Sequence, residues 1–363
     1  MSQPKGGDAL REIGRRVWVG MALAMALQWV AAPASVAAAP EELPQGFSAR
    51  ALEDFAQRVA QKHGLDPGEV SRVLGQAQFQ PRVIELITRP AESKPWIQYR
   101  ELFITPKRIV GGVEFWDAHA EALARARTQY GIPEEIIVAI IGVETFYGER
   151  TGSYRVLDAL ATLAFGYPRR SAYFTAELEN FILLARANGL DPSSLFGSYA
   201  GAIGIPQFMP GSYLAYAVDF DGDGKADLSA SPVDAIGSVA HYLSRHGWAQ
   251  GEPTAVPASL TRPSAAQTDP KPRRTVAELR AAGVQPLGTV APEAKAALLA
   301  FDEQDGKRYW LGLPNFFVIK RYNNSDLYAM VVSQLAEEVK ALRKVMRQPR
   351  PLDAVGATSV PVQ

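Results

Sequence analysis

The chain has 363 residues, of which 47% are hydrophobic and 21% charged, the balance of an ordinary globular protein. Its 38 Lys and Arg residues offset 38 Asp and Glu residues, so no net charge attracts nucleic acid or an anionic membrane. Cysteine is absent, which excludes disulfides, a thiol nucleophile, Cys-ligated zinc and a lipid-modified N-terminal cysteine. The four histidines, His63, His119, His241 and His246, are scattered singly and do not have the spacing of a zinc site.

The N-terminus has the three-part pattern of a secretory signal peptide. A basic leader containing Arg15 and Arg16 precedes an apolar stretch from Val17 to about Ala32, and the small residues 34–39 follow. The pattern predicts a signal peptide over residues 1–39, cleaved after Ala37 or Ala39. The alternative is an uncleaved anchor, but about 16 apolar residues are fewer than the roughly 20 that cross a bilayer.

Helical spacing dominates the first 250 residues. Apolar residues recur at three- and four-residue intervals from 47 to about 87, with a stop at Gly64 and a new start after Asp66 and Pro67. Further helices are predicted over Trp116–Tyr130, around Ile136–Val143, and over Tyr173–Ala187 and Val233–His246. The segment Ile136–Val143 is apolar on every side, so its helix is expected at the centre of the core.

The second half of the chain mixes element types. A loop rich in Pro, Ser and Thr is predicted at about 251–275, followed by a short helix and strands up to Gly312. Phe316–Ile319 is interpreted as a buried strand and Leu327–Val345 as a helix. The tail, 346–363, is polar and is expected to be disordered. The fold class is therefore mainly α (α+β).

Glu144 directly follows the eight uncharged residues Ile136–Val143. A carboxyl at this place is expected to be partly desolvated, which disfavours its charged form and suits a general acid. The alternative is a structural glutamate paired with Arg150. The residues alone do not decide between the two interpretations.

A family resemblance decides for catalysis. Around Glu144 and beyond it, the chain resembles the B-type lytic murein transglycosylases (glycoside hydrolase family 103) in an ordered series of blocks over roughly 47–340. The blocks are IGVET with YG (141–145, 147–148), VLDALATLAF (156–165), YPRR (167–170), GSYAGAIG (197–204), PQFMP (206–210), PVDAIGSVA (232–240) and RYN (321–323).

The resemblance implies a lysozyme-like helical core with a helical subdomain and a small β-containing subdomain, over a catalytic domain of 40–345. It also implies cleavage of the bond between N-acetylmuramic acid and N-acetylglucosamine, with formation of a 1,6-anhydro sugar. Glu144 would act alone as acid and base, without a cofactor for catalysis, and Glu149, in a polar turn, is its rival. The alternatives on the same fold are an inactive peptidoglycan-binding scaffold and a muramidase that uses water.

The resemblance also implies substrate-binding residues: Ser198, Gln207, Arg169, Arg170, Tyr173, Tyr242, Tyr322, Asn323 and Tyr328. Ser198 and Gln207 would hold the N-acetyl group and neighbouring sugar atoms, although both could simply cap loops. Paired arginines suit the carboxylates of muramic acid and its peptide, whereas on their own they would indicate a solvated face. The tyrosines could stack on sugars or belong to the core or surface.

The segment 219–230 fits the first half of an EF-hand calcium loop. Oxygen ligands fall on Asp219, Asp221 and Asp223, with the carbonyl of Lys225 next. The usual glutamate at position 12 is replaced by Ala230, and Asp234 is predicted to supply the missing acid, as a later aspartate does in the family. The prediction is a structural Ca²⁺, against the alternative of an acidic solvated turn.

The predicted partners follow from this function. Peptidoglycan glycan strands are the expected substrate of a periplasmic, monomeric enzyme that is not a lipoprotein, because it has no cysteine. Proteins of cell-wall synthesis or secretion are possible partners, and nucleic acid is not expected.

Overall fold

The computed structural model describes residues 46–89 and 94–348. The predicted signal peptide and the tail beyond 348 lie outside the described residues. The described chain divides into two compact units, each made of two separate segments. The first unit comprises residues 46–89 and 151–217, and the second comprises 94–150 and 218–348.

The first unit is mainly helical. Its elements are α1 (Ala49–His63), α2 (Pro67–Leu74), α3 (Pro81–Ile87), β1 (Tyr154–Arg155), α8 (Val156–Gly166), α9 (Ser171–Ala187), β2 (Phe196–Gly197) and α10 (Pro210–Tyr216). The short strands β1 and β2 pair antiparallel. As predicted, α1 ends at Gly64, whose φ of 66° is the left-handed conformation that favours glycine.

The apolar helix α8 forms the centre of the first unit, and α9 and α3 pack against it. Two polar side chains of α8 are buried with it. Asp158 accepts a hydrogen bond from the backbone N–H of Gln78 (2.9 Å), and Thr162 accepts one from that of Gln80 (3.0 Å). Both acceptors therefore have partners, which removes most of the cost of burying them.

The second unit combines eight α-helices with a five-stranded sheet among the described residues. The helices are α4 (Trp96–Phe103), α5 (Pro106–Ala118), α6 (Ala120–Tyr130), α7 (Glu134–Thr145), α11 (Pro232–Arg245), α12 (Val276–Ala281), α13 (Pro314–Tyr322) and α14 (Asp326–Met346), with α12 lying beside the sheet. The strands are β3 (Ala255–Leu260), β4 (Arg274–Thr275), β5 (Val284–Pro286), β6 (Lys295–Glu303) and β7 (Gly306–Gly312).

Helix α7 is the central helix of the second unit. Every residue from Ile136 to Val143 is buried, which confirms the expectation from its apolar run. Helices α5, α6, α11 and α14 pack around it. Because apolar contacts surround α7, its C-terminal end is held by the core of the unit.

The sheet is antiparallel, in the order β4-β6-β7-β3-β5. One core lies between the sheet and α12, and includes Val276, Leu279 and Leu298. On β6, Phe301 contacts Trp96 of α4, with ring centroids 4.8 Å apart. Strand β6 is therefore buried on both faces, and its near-continuous apolar sequence follows from that.

Three sequence predictions need correction. The loop predicted at 251–275 contains the strand β3. The strand was not predicted because it includes Pro257, and proline is rare inside strands. The strand predicted at Phe316–Ile319 is part of α13, since four apolar residues do not separate the two element types and Pro314 starts a helix. The helix predicted over Trp116–Tyr130 is two helices that meet at His119.

Within 46–89 and 94–348, none of the helices combines the length and apolar character needed to span a bilayer.

Candidate active site

Glu144 is the penultimate residue of α7 and is half-buried. The helix ends there because Phe146 and Tyr147 both adopt left-handed backbone conformations, with φ of 53° and 63°. The N–H groups of these two residues return to the carbonyls of Gly142 (3.2 Å) and Ile141 (3.4 Å). Two consecutive non-glycine residues in this region cost of order 1–3 kcal/mol each, and such strain clusters at functional sites.

Tyr328, in the first turn of α14, donates its hydroxyl to Oε1 of Glu144 at 2.5 Å. The ring is almost fully buried, at 2% exposure. Burial raises the pKa of Tyr328 well above its usual 10, and the nearby carboxylate of Glu144 raises it further. Tyr328 is therefore a neutral hydrogen-bond donor over the whole physiological range.

Aromatic rings extend from this hydrogen bond in a row. The ring of Tyr322 stacks on Tyr328 with centroids 6.4 Å apart, and the ring of Tyr242 contacts Tyr322 edge-on at 5.0 Å. Tyr242 is anchored by its hydroxyl, which donates to the carbonyl of Arg321 (2.6 Å). The structure thus brings together Glu144, Tyr328, Tyr322 and Tyr242, four of the residues predicted from sequence.

His246 extends the row of aromatic rings. The sequence analysis did not predict that His246 lies next to the tyrosines of this site. Its ring stacks on Tyr242 with centroids 4.0 Å apart, and its Nδ1 lies 2.7 Å from the carbonyl oxygen of Tyr242. Burial lowers the pKa of His246, which favours the neutral ring. The available signal was the four-residue spacing of Tyr242 and His246, which places both on one helix face.

Asn323 lies between α13 and α14 and is half-buried. It follows Tyr322 directly, and its carbonyl accepts the N–H of Ser325 at 2.7 Å. Ser325 in turn caps α14, since its hydroxyl accepts the N–H of Tyr328 (3.3 Å). The short segment 323–325 therefore sets where Tyr322 and Tyr328 leave their helices.

In the first unit, Ser198 and Gln207 belong to neighbouring tight turns. The hydroxyl of Ser198 accepts the N–H of Ala202 (3.1 Å), which is the turn-capping role considered as an alternative. Gln207 has a left-handed φ of 53°, and its amide nitrogen donates to the carbonyls of Thr151 (3.0 Å) and Gly204 (2.8 Å). The two turns are joined through bridges on either side of Ile203.

Arg169, Arg170 and Tyr173 lie on the surface of the first unit, at the turn Pro168–Arg170 and the start of α9. The guanidinium of Arg170 sits 4.5 Å from the ring centroid of Tyr173, a cation–π distance. Tyr173 remains 39% exposed. Arg170 and Tyr173 therefore form a pair whose charge and ring face solvent.

Beneath this surface, Glu177 is a buried carboxyl that the sequence analysis did not single out. It accepts the backbone N–H of Gly211 in the first turn of α10, at 2.8 Å. Burial raises the pKa of Glu177. Its geometry indicates a role in fixing the start of α10.

The acidic loop of the second unit is compact. Asp219, Asp221 and Asp223 each offer a carboxylate oxygen, and these three atoms lie within 4.8 Å of one another. Asp219 also accepts the N–H groups of Gly222 (2.7 Å) and Gly224 (2.9 Å), which fold the loop around it. Clustered, exposed carboxylate oxygens are the donors that Ca²⁺ prefers, so these three residues fit the ion.

Asp234 has a different environment. It is fully buried at the start of α11, and its carboxylate accepts the N–H groups of Phe220 (2.7 Å), Asp221 (3.2 Å) and Asp227 (2.8 Å). Asp234 therefore anchors the loop to α11. A direct bond from Asp234 to the metal, and one from the Lys225 carbonyl, stay predictions.

Comparison with known proteins places this geometry in a family. The profile of the family described as "Transglycosylase SLT domain" matches residues 48–337. The chain is 46% identical over 301 residues to membrane-bound lytic murein transglycosylase B of Escherichia coli, covering 80% of this chain and 83% of that protein.

Solved structures agree with this relationship. The Escherichia coli lytic transglycosylase Slt35 in complex with calcium has a TM-score of 0.75 at 46% identity, with coverage of 81% of this chain and 93% of that chain. SltB3 from Pseudomonas aeruginosa in complex with NAG-anhNAM-pentapeptide has a TM-score of 0.71 at 32% identity, covering 80% and 79%. These likenesses confirm the mainly α, lysozyme-like fold and the transglycosylase function that the sequence predicted. The chain therefore belongs to the lytic murein transglycosylases with an SLT domain.

Proposed function

We propose that Glu144 is the single acid and base of this lytic transglycosylase. The observation that carries the proposal is the hydrogen bond from buried Tyr328 to Oε1 of Glu144, at the end of the apolar helix α7. A half-buried carboxyl held by a neutral donor is suited to exchanging a proton with a substrate.

The reaction has two proton transfers and consumes no water. Glu144 first protonates the glycosidic oxygen between N-acetylmuramic acid and N-acetylglucosamine, and the bond from that oxygen to muramyl carbon 1 breaks. The muramyl hydroxyl at carbon 6 then bonds to carbon 1, and the carboxylate of Glu144 takes its proton. Because the nucleophile belongs to the substrate, proximity replaces the second carboxylate that most glycosidases need.

The anhNAM sugar in the ligand of the Pseudomonas aeruginosa SltB3 structure supports this kind of product. We extend the proposal to the substrate contacts. The amide nitrogen of Gln207 already donates to the carbonyls of Thr151 and Gly204, so its side-chain carbonyl oxygen would accept from the sugar. Ser198 would donate through its hydroxyl. Arg169, Arg170 and Tyr173 would contact the peptide-bearing sugar, and Tyr242, Tyr322 and Asn323 would line the subsite near Glu144.

The test is digestion of purified sacculi by the wild type, Glu144→Gln and Glu149→Gln, with mass spectrometry of the products. We expect wild type and Glu149→Gln to release anhydro-muropeptides, about 18 Da lighter than the products of hydrolysis, since no water is added. Glu144→Gln should lose at least about 10²-fold in rate, the smallest usual contribution of a general acid-base group.

Three outcomes would contradict the proposal. Full activity of Glu144→Gln would remove Glu144 from the reaction, and loss of activity in Glu149→Gln alone would transfer the role to the rival carboxylate. Products that carry the additional water would identify a muramidase. Binding of sacculi by the wild type without any release would identify an inactive scaffold.

We also propose that the acidic loop holds a structural Ca²⁺ through Asp219, Asp221, Asp223, the Lys225 carbonyl and Asp234. The Escherichia coli Slt35 structure in complex with calcium supports the choice of ion. The ion would cross-link the loop and take no part in the proton transfers. The chemistry above therefore requires no cofactor.

Finally, we propose that the protein is exported and acts in the periplasm, where peptidoglycan lies. The pattern over 1–39 supports this, and so does the substrate class of the family. We expect a mature protein in the periplasmic fraction whose first residue, by N-terminal sequencing, is Ala38 or Pro40. An intact N-terminus in the membrane fraction would instead indicate an uncleaved anchor.

A further inference from the structure

Arg108, on α5, is a buried arginine whose guanidinium hydrogen bonds go to backbone carbonyls. Only 7% of the residue is exposed. Its Nε donates to the carbonyl of Gly142 (3.0 Å), and its Nη1 donates to the carbonyls of Leu102 (2.7 Å) and Phe103 (2.8 Å). One rigid fork thus ties the end of α4 to the last turn of the helix that carries Glu144.

This arrangement is unusual for a buried charge. Buried arginines are normally paired with carboxylates, because neutral carbonyls compensate less for the loss of water. Desolvation accordingly lowers the pKa of Arg108, and the positive charge of Arg150 lowers it further. Arg108 also lies over the ring of Phe146, 5.0 Å from its centroid. Burying this cation costs desolvation free energy that an apolar side chain in the same place would not cost. A buried arginine here therefore indicates a role beyond packing.

The reason lies in the turn that follows Glu144. The hydroxyl of Tyr147 donates to the backbone carbonyl of Arg108 at 2.8 Å, so residues 108 and 142–147 are connected in both directions. Glycine creates the room for the Tyr147 ring. A Cβ at Gly112 or Gly142 would lie 2.6 Å from atoms of Tyr147. The left-handed residues Phe146 and Tyr147 are therefore held from outside as well as by their own hydrogen bonds.

We propose that Arg108 is a positioning residue for Glu144. Its fork fixes the Gly142 carbonyl, and with it the last turn of α7, while the Arg108 carbonyl fixes Tyr147 on the other side of Glu144. The carboxyl then projects from a backbone that is fixed on both sides. A displacement of about 1 Å at a reacting group can cost about 10²-fold in rate, so this fixation acts on kcat. The inference rests on the proposed role of Glu144.

The test compares Arg108→Lys, Arg108→Ala and Arg343→Ala on soluble glycan strands. Arg343 is a matched control, because it is also a shielded arginine of the second unit, but it pairs with a carboxylate, Asp117 (2.8 Å), and stacks on Trp116. We expect both Arg108 variants to lower kcat by about 10- to 100-fold with little change in KM, following the cost of misplacement. Arg343→Ala should lower the melting temperature and leave kcat unchanged.

Chemical rescue distinguishes the effect of the guanidinium hydrogen bonds from the effect of the positive charge. Guanidinium chloride at non-denaturing concentration should restore part of kcat in Arg108→Ala, whereas sodium chloride at equal ionic strength should not. Lysine carries the charge but lacks the planar fork. Full activity of Arg108→Lys would therefore overturn the proposal, and so would the absence of guanidinium rescue in folded Arg108→Ala. If Arg108→Ala does not fold, Arg108→Lys decides, and failure of both to fold would assign Arg108 to stability alone.

The two proposals fail in different ways. If Glu144→Gln stays fully active, the role of Glu144 is wrong whatever Arg108 does. If Glu144→Gln is inactive while both Arg108 variants keep kcat, only the positioning role is wrong.

Discussion

In the reaction proposed for Glu144, its hydrogen bond from Tyr328 acts differently in the two proton transfers. A hydroxyl that donates to a carboxylate stabilises the charged form over the neutral acid. Tyr328 thus opposes Glu144 as an acid and supports the carboxylate that follows bond cleavage. Because Tyr328 is buried and its pKa is raised well above 10, the donor itself does not ionise between neutral pH and pH 10.

We predict that Tyr328→Phe moves the alkaline limb of the kcat–pH profile to higher pH. Without the donor, the carboxylate loses a stabilising hydrogen bond, so the acid form of Glu144 persists to higher pH. A hydrogen bond to a charged group contributes about 1.5–3 kcal/mol, and loss of orientation should lower the maximal kcat by about tenfold or more, since 1.4 kcal/mol corresponds to tenfold. The measurement is kcat on soluble glycan strands from pH 4 to 10.

Tyr309→Phe provides the control, because it removes a hydroxyl from strand β7, where the Tyr309 side chain packs against the core between the sheet and α12. Its profile should match the wild type. An alkaline limb that stays in place in Tyr328→Phe, or moves to lower pH, would show that the Tyr328 hydroxyl does not favour the carboxylate.

At the scale of single residues, the sequence draws attention to Glu144 as a candidate but says little about the residues around it. The eight apolar residues before Glu144 are a local signal that can be read directly. Tyr328, by contrast, lies 184 positions along the chain, and only the family resemblance indicated it. Arg108 gave no signal at all, since an arginine on a helix is usually a solvated residue.

At the scale of elements, the accuracy of the predicted helices and strands depended on the length of each segment. The long periodic segments became α1, α9, α11 and α14 within a few residues of their predicted limits. Short segments gave mixed results: the strands predicted at Ala296–Phe301 and Lys307–Leu311 are present in β6 and β7, but Phe316–Ile319 is helical, because four apolar residues have the same composition in a buried strand as in a helix. Strand β3 was hidden for a related reason. Its neighbours β5 and β7 supply its pairing, and neither is visible from its own sequence.

At the scale of the whole molecule, the chain enters each compact unit twice. Residues 46–89 join 151–217 in the first unit, and residues 94–150 join 218–348 in the second. The sequence predicted a catalytic domain over 40–345 with a β-containing part. It did not predict that each unit is built from two separate segments of the chain. Periodicity reports which face of an element is buried and not which distant segment buries it, so the pairing of segments needed the structure.

Calcium binding is expected to act at the same scale, through the stability of the folded chain. An ion that binds only the native state adds RT ln(1 + [L]/Kd), about 2.7 kcal/mol at 100 times Kd. For a chain of this size, we predict that excess Ca²⁺ raises the melting temperature of the chelator-treated protein by several degrees, at about 2–4 °C per kcal/mol. Differential scanning calorimetry with calcium and with chelator measures the shift.

Two variants of the acidic loop separate a bound ion from general screening of its charge. Asp223→Asn removes one charge from the cluster while its side-chain oxygen can still accept the N–H of Lys225. Asp227→Asn removes the same charge from a residue of the loop that lies outside the cluster and accepts the N–H groups of Ser229 and Ala230. Because an amide oxygen can still ligate Ca²⁺ at this position of an EF-hand loop, a bound ion predicts a reduced calcium shift in Asp223→Asn, through the lost charge, and an unchanged shift in Asp227→Asn. Equal shifts in both variants would mean that calcium merely screens an acidic surface, and no shift in the wild type would remove the site.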